Sequence, residues 1–241
     1  MNNKKIIIYD FDGTLTPYKL PKFEILDKCG IKEGLNNPII RTKAQEKVNK
    51  TGTNLYEALH KTILEVIKAN GYKLTDENIC LGYDKIDYNK GVFEYLETLT
   101  ENGIKNYILS SGTKVFIEKT DISKYFEYIY ATTYIYDDKK EIIDLKELMT
   151  PQNKVQAIKE IMKLNNEKDC SNIIYIGDGL TDYYAMEYVI KNNGISIFVY
   201  EKEENKEQIK EKDVVTFSAL KDYSKNTKLY NYVMNTCNIK K

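Results

Sequence analysis

The sequence predicts an α/β protein: a parallel sheet with helices on both faces, and a small helical unit inserted after the first strand. Three observations predict this. Apolar runs of strand length recur along the chain and end in small or acidic residues. Segments with helical periodicity alternate with those runs. One stretch, from about Pro17 to about Asp87, breaks the alternation and contains helical patterns only.

The first run, Lys5 to Tyr9, places isoleucines next to one another without polar alternation, as in a strand buried on both faces. Similar runs are Lys105 to Leu109, which ends at Ser110-Ser111-Gly112, and Asn172 to Ile176, which ends at Gly177-Asp178-Gly179. Ile195 to Val199 is a fourth, and Val214 to Phe217 a short fifth. Between them, Tyr88 to Asn102 carries Val92, Phe93, Leu96 and Leu99 at helical spacing and is stopped by Gly103. Lys114 to Lys119 opens another helix, which the pattern extends toward Tyr125. Asn153 to Leu164 sets Val155, Ile158, Ile161 and Met162 on one face. Asp182 to Lys191 does the same with Tyr184, Ala185, Tyr188 and Val189 and ends before Asn193-Gly194. In the insert, Glu24 to Cys29, Thr42 to Asn49, Asn54 to Asn70 and Thr75 to Leu81 read as helices. Turn signals separate them at Gly30, Asn36-Asn37-Pro38, Gly52 and Gly71. Tyr130 to Leu148 reads as a hairpin around Asp137 to Lys140. Lys202 to Lys212 is densely charged and reads as a solvated helix or loop.

Composition narrows the function classes. A chain of 241 residues with 42% hydrophobic and 30% charged residues is expected to be globular. Lys+Arg and Asp+Glu are both 36, so there is no basic footprint for nucleic acid. Cys29, Cys80, Cys170 and Cys237 are scattered, which argues against a zinc site or a disulfide framework. No apolar segment reaches the length of a membrane span, and the first apolar run is short for a signal peptide. The expectation is a reduced, cytoplasmic protein. Composition says nothing of its oligomeric state.

Four short motifs carry chemistry. Asp10-Phe11-Asp12-Gly13-Thr14 follows the first strand, where α/β sheets bind ligands. Two carboxylates so close repel one another and favour a nearby cation, although an acidic turn with Asp12 as a helix cap has the same pattern. Ser110-Ser111-Gly112 offers a hydroxyl and backbone N–H groups to phosphate oxygens at a helix N-terminus; the alternative is an ordinary N-cap. Ser110 directly follows the apolar run and is the preferred contact. Gly177 to Asp182 places Asp178 at a strand end, suited to a metal, and Asp182 near a helix start as ligand, outer partner or cap. Lys154 opens a helix between the second and third of these motifs.

In this order the motifs resemble the haloacid dehalogenase superfamily: DxDGT at Asp10 to Thr14, a strand ending in Ser110, Lys154, and GDxxxD at Gly177 to Asp182. The resemblance covers about residues 1–16 and 88–220. It implies a Rossmann-like core of residues 1–16 and 88–241. The insert, 17–87, resembles the helical cap of phosphoserine phosphatase-like members. It implies a Mg2+-dependent phosphatase acting on a small phosphomonoester through an aspartyl-phosphate. Asp10 is then the nucleophile and Asp12 the acid and base. Asp10, the Asp12 carbonyl and Asp178 hold Mg2+. Ser110, Ser111, Gly112 and Lys154 bind phosphate, with Thr14 and Asp182 in support. An acid at Asp12 separates the chain from carbon–halogen and phosphonate-cleaving members, which lack one there.

Phosphoserine-specific members use a glutamate soon after the first motif and a cap arginine. Here no glutamate precedes Glu24, and Arg41 is the single arginine. That departure leaves the substrate open. His60, the sole histidine, reads as an ordinary helix residue. A phosphotransferase or mutase would share every motif residue. A catalytically silent binding module is the third reading, weakened by the retained Asp10, Asp12 and Asp178.

Overall fold

The computed structural model describes residues 4–17, 24–32, 37–83, 86–202 and 213–239. In chain order its elements are β1 (Ile6–Tyr9), α1 (Glu24–Lys28), α2 (Pro38–Thr51), α3 (Leu55–Ala69), α4 (Asp76–Ile79), α5 (Val92–Glu101), β2 (Lys105–Thr113) and α6 (Lys114–Glu118). They continue with β3 (Tyr128–Tyr136), β4 (Ile142–Glu147), α7 (Asn153–Leu164), β5 (Ile173–Gly177), α8 (Tyr183–Lys191), β6 (Ile195–Tyr200), β7 (Phe217–Leu220) and α9 (Lys228–Thr236).

The strands form one seven-stranded sheet in the order β4-β3-β2-β1-β5-β6-β7. Every neighbouring pair is parallel except β3 and β4. β1 is central, which explains its unbroken apolar sequence. The strand order reverses across β1, and the crevice beyond its carboxyl end is the natural ligand position.

Side-chain parity along the strands makes the two core layers. Ile7 and Tyr9 face α5 and α9, which contribute Val92, Tyr95, Leu96, Leu99, Leu229, Val233 and Met234. Ile6 and Ile8 face α7 and α8, which contribute Ala157, Ile158, Ile161, Ala185, Met186 and Val189. Burying each such isoleucine stabilises the fold by about 2 kcal/mol. A third cluster joins the insert to the hairpin. Ile25, Leu26, Ile40, Ile63 and Ile67 of the insert pack with Phe116, Tyr134 and Ile142.

Several boundaries differ from the sequence expectation. The Asn-Pro signal before the second insert helix is the start of α2 rather than a turn. Asn37 accepts from Ile39 N, and Pro38 occupies the first turn, where its missing N–H costs nothing. β2 runs on through Ser110-Ser111-Gly112 to Thr113. The helix from Lys114 ends at Glu118, with a separate 3-10 turn at Ser123–Tyr125. The final strand is Phe217–Leu220, because the pairing register sets Phe217 opposite Ile197 and leaves Val214 and Val215 in the connection. Helix α9 was not expected. Its signal was the spacing of Leu229, Tyr230, Val233 and Met234 behind the cap Thr227. Of the charged stretch Lys202 to Lys212, residues 203–212 lie outside the described residues.

Candidate active site

The β1 ladder continues one residue past the strand: Asp10 N donates to Ile176 O at 2.9 Å. The chain then turns tightly around Phe11, whose carbonyl accepts from the N–H groups of Thr14, Leu15 and Thr16. Gly13 has a φ of +87°, and a Cβ there would lie 2.3 Å from Asp178 Oδ2. Glycine therefore serves both the turn and the close approach of Asp178. Asn89 Nδ2 and the Tyr223 hydroxyl both donate to Thr14 O, at 2.7 and 3.0 Å. Thr14 is thus held through its carbonyl, while its hydroxyl is buried without a partner.

Lys154 lies in the first turn of α7 and is fully buried. Its Nζ donates to Asp10 Oδ1 at 2.8 Å and to Asp182 Oδ1 at 2.6 Å. Asp182 Oδ1 also accepts from the Tyr175 hydroxyl at 2.6 Å. Asp182 Oδ2 accepts the N–H groups of Asp178 and Gly179, at 3.2 and 3.3 Å. Both Asp182 oxygens are therefore committed to holding the lysine and the loop after β5.

Carboxylate oxygens of Asp10, Asp178 and Asp182 lie within 4.8 Å of one another. With both Asp182 oxygens engaged, Asp10 and Asp178 are the carboxylates best placed to meet a cation. Asp12 adds a further carboxyl group, and its buried Oδ1 has no hydrogen-bond partner. Burial pushes the Asp10 carboxyl well above the usual range; Asp182 and Asp178 push the same way and Lys154 opposes them. Burial, then Asp178, raises Asp12 to about 7, again against Lys154. Burial alone would lower Lys154, but Asp10 and Asp182 outweigh it and keep the ammonium charged. Four carboxyl groups stand against one lysine, and the raised Asp10 and Asp12 mark a site short of positive charge. The donors are hard oxygens, so the residues present fit a hard divalent cation.

The end of β2 closes the other side. Ser110 is buried, and its Oγ accepts from Gly112 N at 3.0 Å. A Cβ on Gly112 would stand 3.1 Å from Asp12 Oδ2, so this segment lies directly against the first motif. The Ser111 Oγ is buried without a partner. As the sequence suggested, these residues lead into a helix N-terminus, since Thr113 is the N-cap of α6. They also form an irregular strand end: the β2–β3 register shifts between Leu109 and Thr113.

Asp10, Asp12, Ser110, Gly112, Lys154, Asp178 and Asp182 thus converge from four segments. Arg41 is exposed on α2. His60 is buried on α3 and meets Tyr134. No role for Tyr175, Asn89 or Tyr223 was legible in the sequence. Tyr175 reads as one more apolar strand residue. Lys221 was also missed; its Nζ lies 3.2 Å from Pro17 O and 3.5 Å from Gly13 O.

The chain is matched over residues 7–187 by the family described as haloacid dehalogenase-like hydrolase. A curated relative, the phosphoserine phosphatase of Archaeoglobus fulgidus, is 22% identical over 191 residues, which are 76% of this chain and 50% of that protein. The chain spans about half the length of that relative. A substrate-bound phosphoserine phosphatase structure superposes with a TM-score of 0.64 at 19% identity, covering 98% of this chain and 99% of the other. A cytosolic 5'-nucleotidase IIIB bound to cytidine gives 0.60 at 15% identity, covering 96% and 84%. At these identities the two structures establish the shared fold.

Proposed function

The chain belongs to the haloacid dehalogenase-like hydrolase family, and on that premise we propose that it is a Mg2+-dependent phosphatase acting on a small phosphomonoester. One observation carries the reading. A single turn presents Asp10, fixed 2.8 Å from Lys154, and Asp12, whose buried Oδ1 is unbonded.

In this reading the Asp10 carboxylate attacks phosphorus, forming an Asp10–O–P bond while the bond to the leaving alcohol breaks. Asp12, raised to about 7, holds its proton near neutral pH and gives it to the leaving oxygen. The resulting Asp12 carboxylate then takes a proton from the water that attacks phosphorus, and the Asp10–phosphate bond breaks. Lys154 and the Ser110-Ser111-Gly112 segment hold the phosphoryl oxygens. Mg2+, held by Asp10, Asp178 and the Asp12 carbonyl, would supply the charge that lets a phosphate dianion approach Asp10. Asp182, Thr14 and Tyr175 keep these groups in place.

The helical insert, residues 17–87, serves in this reading as a lid that selects the ester, and the protein works in the cytoplasm. Among the described residues no helix is long and apolar enough to cross a membrane.

The test is phosphate release from a panel of metabolite esters, phosphoserine and nucleotides included, with Mg2+ and with chelator. The expected result is Mg2+-dependent release, reduced at least a thousandfold by Asp10→Asn. Activity of Asp10→Asn within tenfold of wild type would remove Asp10 as nucleophile.

A further inference from the structure

The segment that faces the phosphoryl group interrupts the β2–β3 register. The pairing joins Leu109 to Tyr130 and resumes at Thr113 with Thr132, so Ser110, Ser111 and Gly112 fall in the irregularity between. Within it, Gly112 N donates to Ser110 Oγ. A bulged strand end relies on further partners to hold one shape.

Those partners come from the helical insert. His60 projects from α3, is 9% exposed, and places Nδ1 3.4 Å from the Tyr134 hydroxyl. That hydroxyl stands 3.1 Å from Thr113 Oγ1, at the far end of the irregular segment. The Ser111 backbone, in the middle of it, is near enough to favour the charged imidazole, against the effect of burial. Tyr134 and Thr113 are both buried, so the chain of contacts is dry. The neighbouring Ile63 and Ile67 anchor α3 in the cluster that includes Tyr134. The imidazole therefore sits where the insert, the hairpin and the phosphate-facing strand end meet.

We infer that His60 is a positioning residue: through Tyr134 it fixes Thr113, so that the strand end takes its phosphate-binding shape only with α3 seated against it. Seating the insert and gripping phosphate are then one event. The inference rests on the phosphatase reading above and deepens it by naming what ties the lid to the phosphate site. His60 does not touch the reacting atoms and takes no proton in the reaction.

The experiment is calorimetric binding of inorganic phosphate, with Mg2+, to the full chain and to His60→Leu, His60→Gln and Tyr134→Phe, with each variant's melting temperature. Leucine keeps the volume and removes the hydrogen bond to Tyr134. Glutamine can keep a hydrogen bond to the Tyr134 hydroxyl. Tyr134→Phe keeps the ring and cuts the link to Thr113. The expected result is phosphate binding weakened about tenfold in His60→Leu and several-fold in Tyr134→Phe, with His60→Gln restored to within about threefold of wild type. For the ester found by the panel, KM should rise more than kcat falls in His60→Leu. Wild-type affinity in a folded His60→Leu overturns the inference and leaves the phosphatase reading standing. So do equal losses in His60→Leu and His60→Gln that track their melting temperatures, since the histidine is then a packing residue. No phosphate binding or ester hydrolysis by the wild-type protein overturns the reading and the inference together.

Discussion

Lys154 and Asp182 form a fully buried ion pair, with Nζ 2.6 Å from Oδ1, and the same Nζ reaches Asp10 Oδ1 at 2.8 Å. Neither Lys154 nor Asp182 is exposed to solvent. The pair therefore does two jobs. It sets where the Asp10 carboxylate points, and it anchors the loop that carries Asp178, because the second Asp182 oxygen takes that loop's N–H groups.

Lys154→Met should destabilise the chain by about 3–5 kcal/mol, because it leaves Asp10 and Asp182 buried without their cation. Urea denaturation reads this directly. Added Mg2+ should recover part of the loss, since a cation near Asp10 and Asp178 relieves the same repulsion. A loss below about 1 kcal/mol would mean that the carboxylates accept protons instead.

Asp12→Asn should lower steady-state turnover at least a hundredfold, because asparagine neither gives a proton to the leaving oxygen nor takes one from water. The variant should accumulate phosphoenzyme when leaving-group departure needs no acid, as with an aryl phosphate. Intact-mass spectrometry detects the added phosphoryl group. Unchanged turnover would take Asp12 out of the acid and base role.

Gly13→Ala should lose activity and metal affinity together. The new Cβ meets Asp178 Oδ2 at 2.3 Å, at a φ of +87° that alanine adopts at a cost. Displacing Asp178 should weaken Mg2+ binding at least tenfold by calorimetry. Wild-type affinity in this variant would mean that the loop shifts without disturbing Asp178.

Burial holds the His60 imidazole at about 4, against an ordinary 6.5. Between those values the folded chain keeps it neutral while the unfolded chain protonates it. Protons therefore favour unfolding in this window, and stability falls as pH drops from 6.5 toward 4, by about 2–3 kcal/mol from this residue. Asp12, raised to about 7, works in the opposite sense. The measurement is accordingly the difference between wild type and His60→Gln, by urea denaturation at pH 7 and pH 4.5. Wild type should lose stability relative to the variant on acidification. A constant difference would show that the imidazole has access to water.

The sheet was readable because its central strands are buried on both faces, and Ile6 to Tyr9 and Ile173 to Ile176 leave no other reading. The edges were less readable. Val214-Val215 has a strand composition yet lies in a connection, since only pairing against Ile197 determines where β7 starts. Asn37-Pro38 carries both a turn signal and a helix-start signal, and the packing of Ile40 into the third cluster selects the helix. Lys154 was one lysine among many by composition. Its position in the motif order singled it out, and only the fold shows it fully buried between Asp10 and Asp182, the pairing that offsets the cost of burying its charge.

By itself the sequence determined the α/β class, the central strands and the family resemblance, and it singled out Asp10, Asp12 and Asp178 as candidates, because these rest on local patterns and on motif order. Tertiary structure alone decided that both Asp182 oxygens are spoken for, that Thr14 is held through its carbonyl, that Ser110-Ser111-Gly112 is an irregular strand end, and that His60 meets Tyr134. Each of these joins residues far apart in the chain. Such contacts depend on the distance and direction of side chains after packing, and residue type records neither.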